Sequence, residues 1–369
     1  MEPVPVAAEP GTRIRQAAPA TTKAAILVRQ QAPLVVADVE IPPLDVGQVL
    51  VRLASSGICG KQVDEITGKR GADRFLPHLL GHEGAGTVVE AGPGVRKVRP
   101  GDRVVLHWMK GAGIDSATPT FRWAGRPLNA GWVTTFSEYT VASENRITPL
   151  GPGVALEAAC LLGCAVTTGL GIVFNEAGLK PGESIAIFGV GGVGLNAVQG
   201  ARLVHGHPIV AVEVHLHKLE LARAFGATHT LSAREDGIEP RLRELSGGRG
   251  FDVTVDTTGD PRVFELAHRL TSQAGRTVMA GVIPHERPVT IDPYPLHFGR
   301  RLTGSHGGAT NPDRDIPRYV ALAAQGALTL EEQITHRFRL EQINEAFNAV
   351  RAGAGGKCVI TMGDGTHHS

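Results

Sequence analysis

Ser184-Ile185-Ala186-Ile187-Phe188-Gly189-Val190-Gly191-Gly192-Val193-Gly194 is the stretch on which the fold turns. A short apolar strand, Ser184 to Phe188, runs straight into a G-x-G-x-x-G turn, and a helical pattern follows from about Gly192 to Leu203. A lone glycine motif carries little weight, but this one has the strand before it and the helix after it that a dinucleotide site requires. Gly189 allows the tight turn, Gly191 lets the backbone approach a pyrophosphate, and Gly194 lets helix and strand pack closely. The unpaired N–H groups of the helix start, with Val190, Gly192 and Val193 between the glycines, then face the phosphates. The next strand, Pro208 to Val212, is followed by Glu213, a carboxylate roughly 20 residues on that can accept from both ribose hydroxyls. A 2′-phosphate would be repelled there, so the expected coenzyme is NAD(H), with Lys218 near the adenosine.

Outward from this motif, strand, turn and helix alternate from about Ile172 to Gly308, with a helix at about Lys218 to Phe225 and strands at Val253 to Val255 and Arg276 to Ala280. That alternation predicts a doubly wound parallel sheet. The preceding part, from Lys23 to about Leu150, is different. Short Val-rich runs such as Ala24 to Val28, Gln48 to Leu53 and Gly84 to Glu90 alternate with Gly and Pro clusters, which predicts a β-rich unit. The tail holds helical patterns at Ile316 to Gln325 and Leu340 to Ala352, and a closing strand, Lys357 to Thr361, able to return to the first unit.

The chain has 369 residues, enough for two domains each with its own core. Its net charge of +1 offers no global field for nucleic acid or an anionic membrane, which favours a small-molecule partner. No apolar run approaches the roughly 20 residues of a membrane span, and residues 1–22 read as a disordered extension of a cytoplasmic protein. The cysteines, Cys59, Cys160, Cys164 and Cys358, are too sparse for a disulfide framework. Metal binding or plain burial is the expectation for them.

Cys59 lies in Gly57-Ile58-Cys59-Gly60, His82 in Gly81-His82-Glu83-Gly84, and Cys164 in Leu162-Gly163-Cys164-Ala165. Singly these are ordinary, since cysteine is often buried and a lone histidine is usually structural. Together, two thiolates and an imidazole are the composition of a catalytic zinc site with one open position. The ordered segments G-I-C-G, G-H-E-x-x-G, L-x-G-C and G-V-G-G-V-G resemble the zinc-dependent medium-chain alcohol dehydrogenases. Pro100-Gly101-Asp102-Arg103-Val104, Thr167-Thr168-Gly169 and Ile343-Asn344-Glu345-Ala346-Phe347 extend the likeness over nearly the whole chain, from about Lys23 to Met362.

The resemblance implies a fold of α/β class, a GroES-like β-rich catalytic domain (23–172 with 309–369) and a Rossmann NAD-binding domain (173–308). It also implies Cys59, His82 and Cys164 as ligands of one catalytic Zn2+, Glu83 as a carboxylate able to enter the coordination sphere, and Val282 and Lys357 as further cofactor contacts. Trp108 falls at the aromatic wall of the substrate pocket. The implied reaction is hydride transfer between NAD(H) and a primary or secondary alcohol or its carbonyl, in a homodimer or homotetramer. Lys110, Arg122 and Arg126 in the same lobe suggest a polyol, sugar-like or phosphorylated substrate.

The chain departs from the family in two places. His107 to Phe136 contains no cysteine, so the thiolates of the family's structural zinc are missing. After the first ligand, Lys61 and Gln62 replace the usual hydroxyl and aspartate. Lys61 then becomes the expected proton mediator or anion contact, Asp64 falls where some relatives have a relay histidine, and Gln62 can still hydrogen-bond His82 as a neutral amide. The alternatives are a zinc-free quinone or enoyl reductase of the same superfamily and, further off, a non-catalytic NAD-binding protein. The pairs His205/His207 and His215/His217 are read as surface loops rather than a second metal site.

Overall fold

The structure is a computed structural model that describes residues 19–69 and 71–363. Most of the expected N-terminal extension therefore lies outside the described residues, but its last four members, 19–22, do not. The first strand is Thr21–Leu27, because Thr21 and Thr22 continue the antiparallel ladder opposite Glu40 and Val39. Thr22 Oγ1 also accepts the Tyr139 N–H at 2.9 Å.

Three sheets organise the described chain. A small closed barrel joins Thr21–Leu27, Val35–Glu40, Thr120–Trp123, Arg126–Asn129 and His78–Leu79. A second sheet runs in the order Ile147–Pro149, Arg103–His107, Glu83–Ala91, Gln48–Gly57, Lys357–Thr361 and Ile334–Arg339, with Tyr139–Ser143 added on Gln48–Gly57. The C-terminal strand thus returns to the β-rich unit, Val359 opposite Gly57.

The third sheet is parallel throughout, and its order is His229–Ser232, Ile209–Glu213, Ile185–Phe188, Phe251–Asp256, Thr271–Met279, Arg301–Gly304. Numbered along the chain this is 3-2-1-4-5-6, the doubly wound order whose switch point lies between the strand before the glycine turn and Phe251–Asp256. Both faces of these strands are covered. Ile185 and Ile187 pack with Leu195, Val198, Val253 and Val255 on one side, while Ala186 and Phe188 pack with Val210, Val212 and Leu270 on the other. A parallel strand buried on both faces reads as a continuous apolar run, which is why Ile185-Ala186-Ile187-Phe188 shows no alternation.

Strand and helix ends moved where side-chain caps or ladder partners override the apolar pattern. The helix expected from Ile316 starts at Pro312, since Asn311 caps it by accepting the Arg314 N–H and Pro312 sits at its first position. The helix expected over Leu340 to Ala352 divides into a 3-10 turn, Leu340–Gln342, and an α-helix, Ile343–Arg351. The chain's two passages between the β-rich and parallel-sheet parts lie against each other. A Cβ on Gly171 would sit 2.3 Å from the Gly308 carbonyl oxygen.

The lobe after His107, which has no cysteine, is held by two carboxylates from elsewhere. Glu144 accepts the backbone N–H groups of Arg96 (2.7 Å), Lys97 (2.8 Å) and Ile114 (2.8 Å). Asp313 accepts from the Ala112 N–H at 2.6 Å and the Thr148 hydroxyl at 3.1 Å, and pairs with Lys97. Among the described residues no single helix is long and apolar enough to cross a membrane.

Candidate metal and dinucleotide site

The three residues singled out as ligands come from separate elements and meet. Cys59 lies two residues past the strand Gln48–Gly57 and stands at the N-cap of the helix Gly60–Thr67. His82 immediately precedes Glu83–Ala91, and Cys164 joins the 3-10 turn Cys160–Gly163 to the helix Ala165–Gly171. Their donor atoms lie within 4.8 Å of one another. Two glycines permit the approach. A Cβ on Gly163 would be 2.4 Å from Leu106 O and 2.8 Å from Glu83 Cα, so this turn can press Cys164 onto the strand behind His82. Gly81 has φ +96°, a left-handed conformation that glycine adopts without strain, and packs against Thr135.

The thiols are electrostatically unequal. The hydrogen bond from Cys164, with His82 and Lys357 nearby, pulls the Cys59 thiol well below its ordinary range. The same hydrogen bond, together with burial and the charges of Cys59 and Glu83, drives Cys164 well above it. One thiolate forms readily and the second is opposed by the first. A divalent cation removes that opposition, so the donor set fits zinc: soft sulfur, imidazole nitrogen, and a place for one more ligand.

Beneath the cluster Glu83 is fully buried and ion-paired with the Lys357 ammonium, which also donates to Ile58 O at 2.9 Å. The other Glu83 oxygen accepts the Ala165 N–H at 3.3 Å. Burial alone would lower Lys357, but Glu83 and the thiolates outweigh it and hold the ammonium above its usual range. Lys357, expected at the cofactor, does reach the glycine turn. Its Nζ would lie 3.7 Å and its Cδ 2.8 Å from a Cβ on Gly192. Ala165 Cβ would be 3.3 Å from that same point, which brings the helix start against the neighbour of Cys164.

The turn has the geometry its residues imply. Gly189 has φ +84°, and a Cβ on Gly194 would fall 2.0 Å from Gly189 O. Around Gly191 nothing lies within 4 Å of the missing Cβ, so the space above it is open to a ligand. Glu213 is buried at the end of Ile209–Glu213 and accepts from Val190 N (2.9 Å), Val214 N (2.8 Å) and His215 N (3.2 Å). It therefore anchors the glycine turn to the end of its own strand. Val282 is exposed just past the strand Thr271–Met279, its carbonyl against Gly259. Lys218 lies in the first turn of the helix Leu216–Ala224.

Trp108 follows the strand Arg103–His107, whose His107 pairs with Glu83, so Trp108 is the next cross-strand neighbour of His82. Its ring meets His306 edge-on at 5.0 Å, and a Cβ on Gly307 would be 2.9 Å from it. The backbone carbonyl of Trp108 accepts from Arg146, whose guanidinium lies 4.7 Å from the Trp132 ring. His306, Trp132 and Arg146 were not singled out by the sequence. They come from three distant segments and carry no local motif.

Lys61 and Asp64 are arranged differently from the expectation. In the helix Gly60–Thr67 the buried face carries Gln62 and Ile66. Lys61 is exposed and its ammonium is 3.4 Å from Glu65, while Asp64 pairs with Lys69 at 3.6 Å. Helical phase puts positions 61, 64 and 65 together on one side of this short helix and 62 and 66 on another. A proton relay through Lys61 would require that side chain to leave Glu65. Arg122 and Arg126 are likewise on the exposed barrel hairpin, Arg122 donating to Gly125 O at 2.8 Å, and Lys110 pairs with Asp115 at 2.7 Å.

A parallel-sheet dinucleotide fold facing a Cys2His cluster defines the class of a metal-dependent dehydrogenase, and known proteins agree. Residues 45–152 match the alcohol dehydrogenase GroES-like domain, and residues 192–325 match the zinc-binding dehydrogenase domain. An S-(hydroxymethyl)glutathione dehydrogenase of Escherichia coli O6:H1 is 33% identical over 92% of this chain and 99% of its own length. An alcohol dehydrogenase zinc-binding domain protein from Burkholderia ambifaria superposes with a TM-score of 0.86 at 29% identity, covering 93% of this chain and 99% of that one. Benzyl alcohol dehydrogenase from Acinetobacter calcoaceticus shares the fold, with a TM-score of 0.85 at 24% identity over 93% and 99% of the two chains. The chain belongs to the zinc-binding alcohol dehydrogenases of the medium-chain dehydrogenase/reductase family. It is an NAD(H)-linked alcohol oxidoreductase of the zinc-using kind.

Proposed function

We propose that Cys59, His82 and Cys164 hold one catalytic zinc, and that NAD(H) lies across the glycine turn with its adenosine ribose on Glu213. The carrying observation is convergence: the same Lys357 that is ion-paired with Glu83 beneath the cluster lies against Gly192 of the turn. When bound, zinc acts as a Lewis acid toward the substrate oxygen and the nicotinamide accepts or returns the hydride. The chain's own groups do the positioning. Glu213 excludes a 2′-phosphate by charge, and the exposed N–H groups at Gly191 to Val193 take the pyrophosphate. Lys357 neutralises Glu83, so that the carboxylate adds no net negative charge beside two thiolates. The lobe that lacks cysteines is proposed to stand on Glu144 and Asp313 in place of a second zinc.

The substrate is proposed to be a polar alcohol, a polyol, sugar-like or phosphorylated compound, bound beside Trp108. His306 against the Trp108 ring and Arg146 on the Trp108 backbone carbonyl, rather than Arg122 or Arg126, are the polar groups that support this reading. Assembly as a homodimer is proposed through Arg301–Gly304, an exposed edge strand with Leu302, Tyr294 and Phe298 exposed around it. Free cysteines throughout suit a reducing, cytoplasmic setting.

The test is zinc per chain by elemental analysis, in the unmodified protein and in Cys164→Ser, with NADH binding measured in both. About one zinc, lost in the variant while NADH binding persists, is the expected result. Undiminished zinc and turnover in Cys164→Ser would defeat the assignment. Polyols, their phosphates and simple alcohols are then screened for turnover.

A further inference from the structure

We infer that Gln62 sets how firmly the cluster holds its metal, and that glutamine at this position makes the site loosely held and readily exchanged. The inference rests on the zinc reading of the cluster. Gln62 is buried, and its amide spans two groups: Oε1 accepts the backbone N–H of Cys59 at 2.9 Å, and Nε2 stands 2.6 Å from Nδ1 of His82.

This orientation is fixed by chemistry. A backbone N–H can only donate, so the amide oxygen must face Cys59 and the NH2 must face the imidazole. An NH2 also only donates, so Nδ1 of His82 has to accept, and the neutral ring then carries its proton on Nε2. That tautomer is at odds with metal binding. Nδ1 is occupied by Gln62, so Nε2 is the nitrogen left for a metal, and a metal needs its bare lone pair.

A ring that gives Nε2 to a metal carries its proton on Nδ1 and becomes a donor. Gln62 then faces two donors, the Cys59 N–H and the His82 Nδ1–H, on its two arms, with one oxygen between them. Turning the amide over satisfies His82 and abandons Cys59. Gln62 is almost wholly buried and His82 nearly so, with Cys59 half-buried at the foot of the helix, so either arrangement of the amide takes its acceptor away from one of the two donors. A carboxylate has an acceptor oxygen for each donor. Gln62 therefore favours the metal-free tautomer and weakens the metal-bound one. It acts through His82 as a positioning residue.

The experiment compares zinc-loaded full-length protein with Gln62→Glu, and with Gln62→Asp should the first variant fold poorly. Zinc release to a chromogenic chelator is timed, and melting temperatures are taken with and without zinc. The expected result is release slowed about tenfold or more by Gln62→Glu, matching the size of effect that partners of metal-bound histidines exert. The zinc-dependent rise in melting temperature should widen as well, and NADH affinity of the metal-loaded protein should stay within about twofold. Release from the carboxylate variant as fast as from the unmodified chain, with zinc still lost in Cys164→Ser, would overturn the inference and leave the site assignment standing. Zinc retained by Cys164→Ser would overturn both.

Discussion

Two neighbouring glycines of the coenzyme turn should respond oppositely to the same added methyl group. In Gly194→Ala the new Cβ would lie 2.0 Å from Gly189 O, where real contacts stay beyond 3.0 Å. The obstacle is backbone, not a flexible side chain, so the helix Gly192–Leu203 must move off the strand end by about 1 Å. Overpacking of that kind costs about 1–3 kcal/mol, and it displaces the N–H groups that receive the pyrophosphate. In Gly191→Ala the methyl group meets nothing within 4 Å, and the residue's φ of −77° suits alanine. Loss of glycine's freedom in the unfolded chain should leave that variant unchanged or more stable by roughly 0.4–1 kcal/mol. Its methyl group, however, fills the space left for the coenzyme. NADH titration by fluorescence and thermal melts of the coenzyme-free protein separate the cases. Gly194→Ala should lose both stability and NADH affinity, whereas Gly191→Ala should keep its melting temperature and bind NADH more weakly by about tenfold or more, which is 1.4 kcal/mol or above. A Gly191→Ala protein that binds NADH normally would refute the placement of the coenzyme on this turn, and a Gly194→Ala protein that melts normally would refute the close packing of helix on strand.

Glu213→Gln should shift the ratio of kcat/KM for NAD over NADP toward NADP by about tenfold, because the charge that repels a 2′-phosphate is gone; an unmoved ratio in steady-state kinetics would contradict the ribose assignment. Glu144→Gln should destabilise the protein by about 1–3 kcal/mol at pH 7 in denaturant unfolding, since an amide cannot accept three backbone N–H groups with two charged oxygens. Burial raises the Glu144 carboxyl, but those three N–H groups outweigh it and hold it below its ordinary range. Its stabilisation is therefore complete above the unfolded value near 4.3 and lost as pH falls through the lower folded value, so the gap between protein and variant should close in acid. Lys61→Met should leave kcat within about threefold, as expected for an exposed ammonium paired with Glu65; a loss beyond tenfold that flattens the alkaline pH profile would restore Lys61 as the proton mediator.

Features governed by near neighbours in the chain were legible in advance. Strand, glycine turn and helix from Ser184 onward specify one another locally, because the turn's backbone angles and the helix's N-terminal N–H groups depend on residues a few positions apart. Cys59, His82 and Cys164 were ordinary one by one and stood out only through the resemblance of their ordered segments to the zinc-dependent alcohol dehydrogenases, and Gly81 and Gly163 now show how the chain allows their close approach. Lys61 and Asp64 show where that kind of reading stops. Position relative to Cys59 suggested the cluster, but helical phase gives the buried side to Gln62 and Ile66.

What the sequence determined by itself was the parallel-sheet unit, the β-rich unit and the types of donor available, because periodicity, glycine placement and residue chemistry are written locally. Only the tertiary structure decided which of those donors meet and what surrounds them. Lys357 reaches Glu83 across 274 positions because the last strand returns to pair with Gln48–Gly57. His306 meets Trp108 because the loop after the edge strand Arg301–Gly304 folds back over the ladder behind His82. Such contacts are made by sheet order and ladder register, which bring together residues far apart in the chain, and no local pattern encodes that distance.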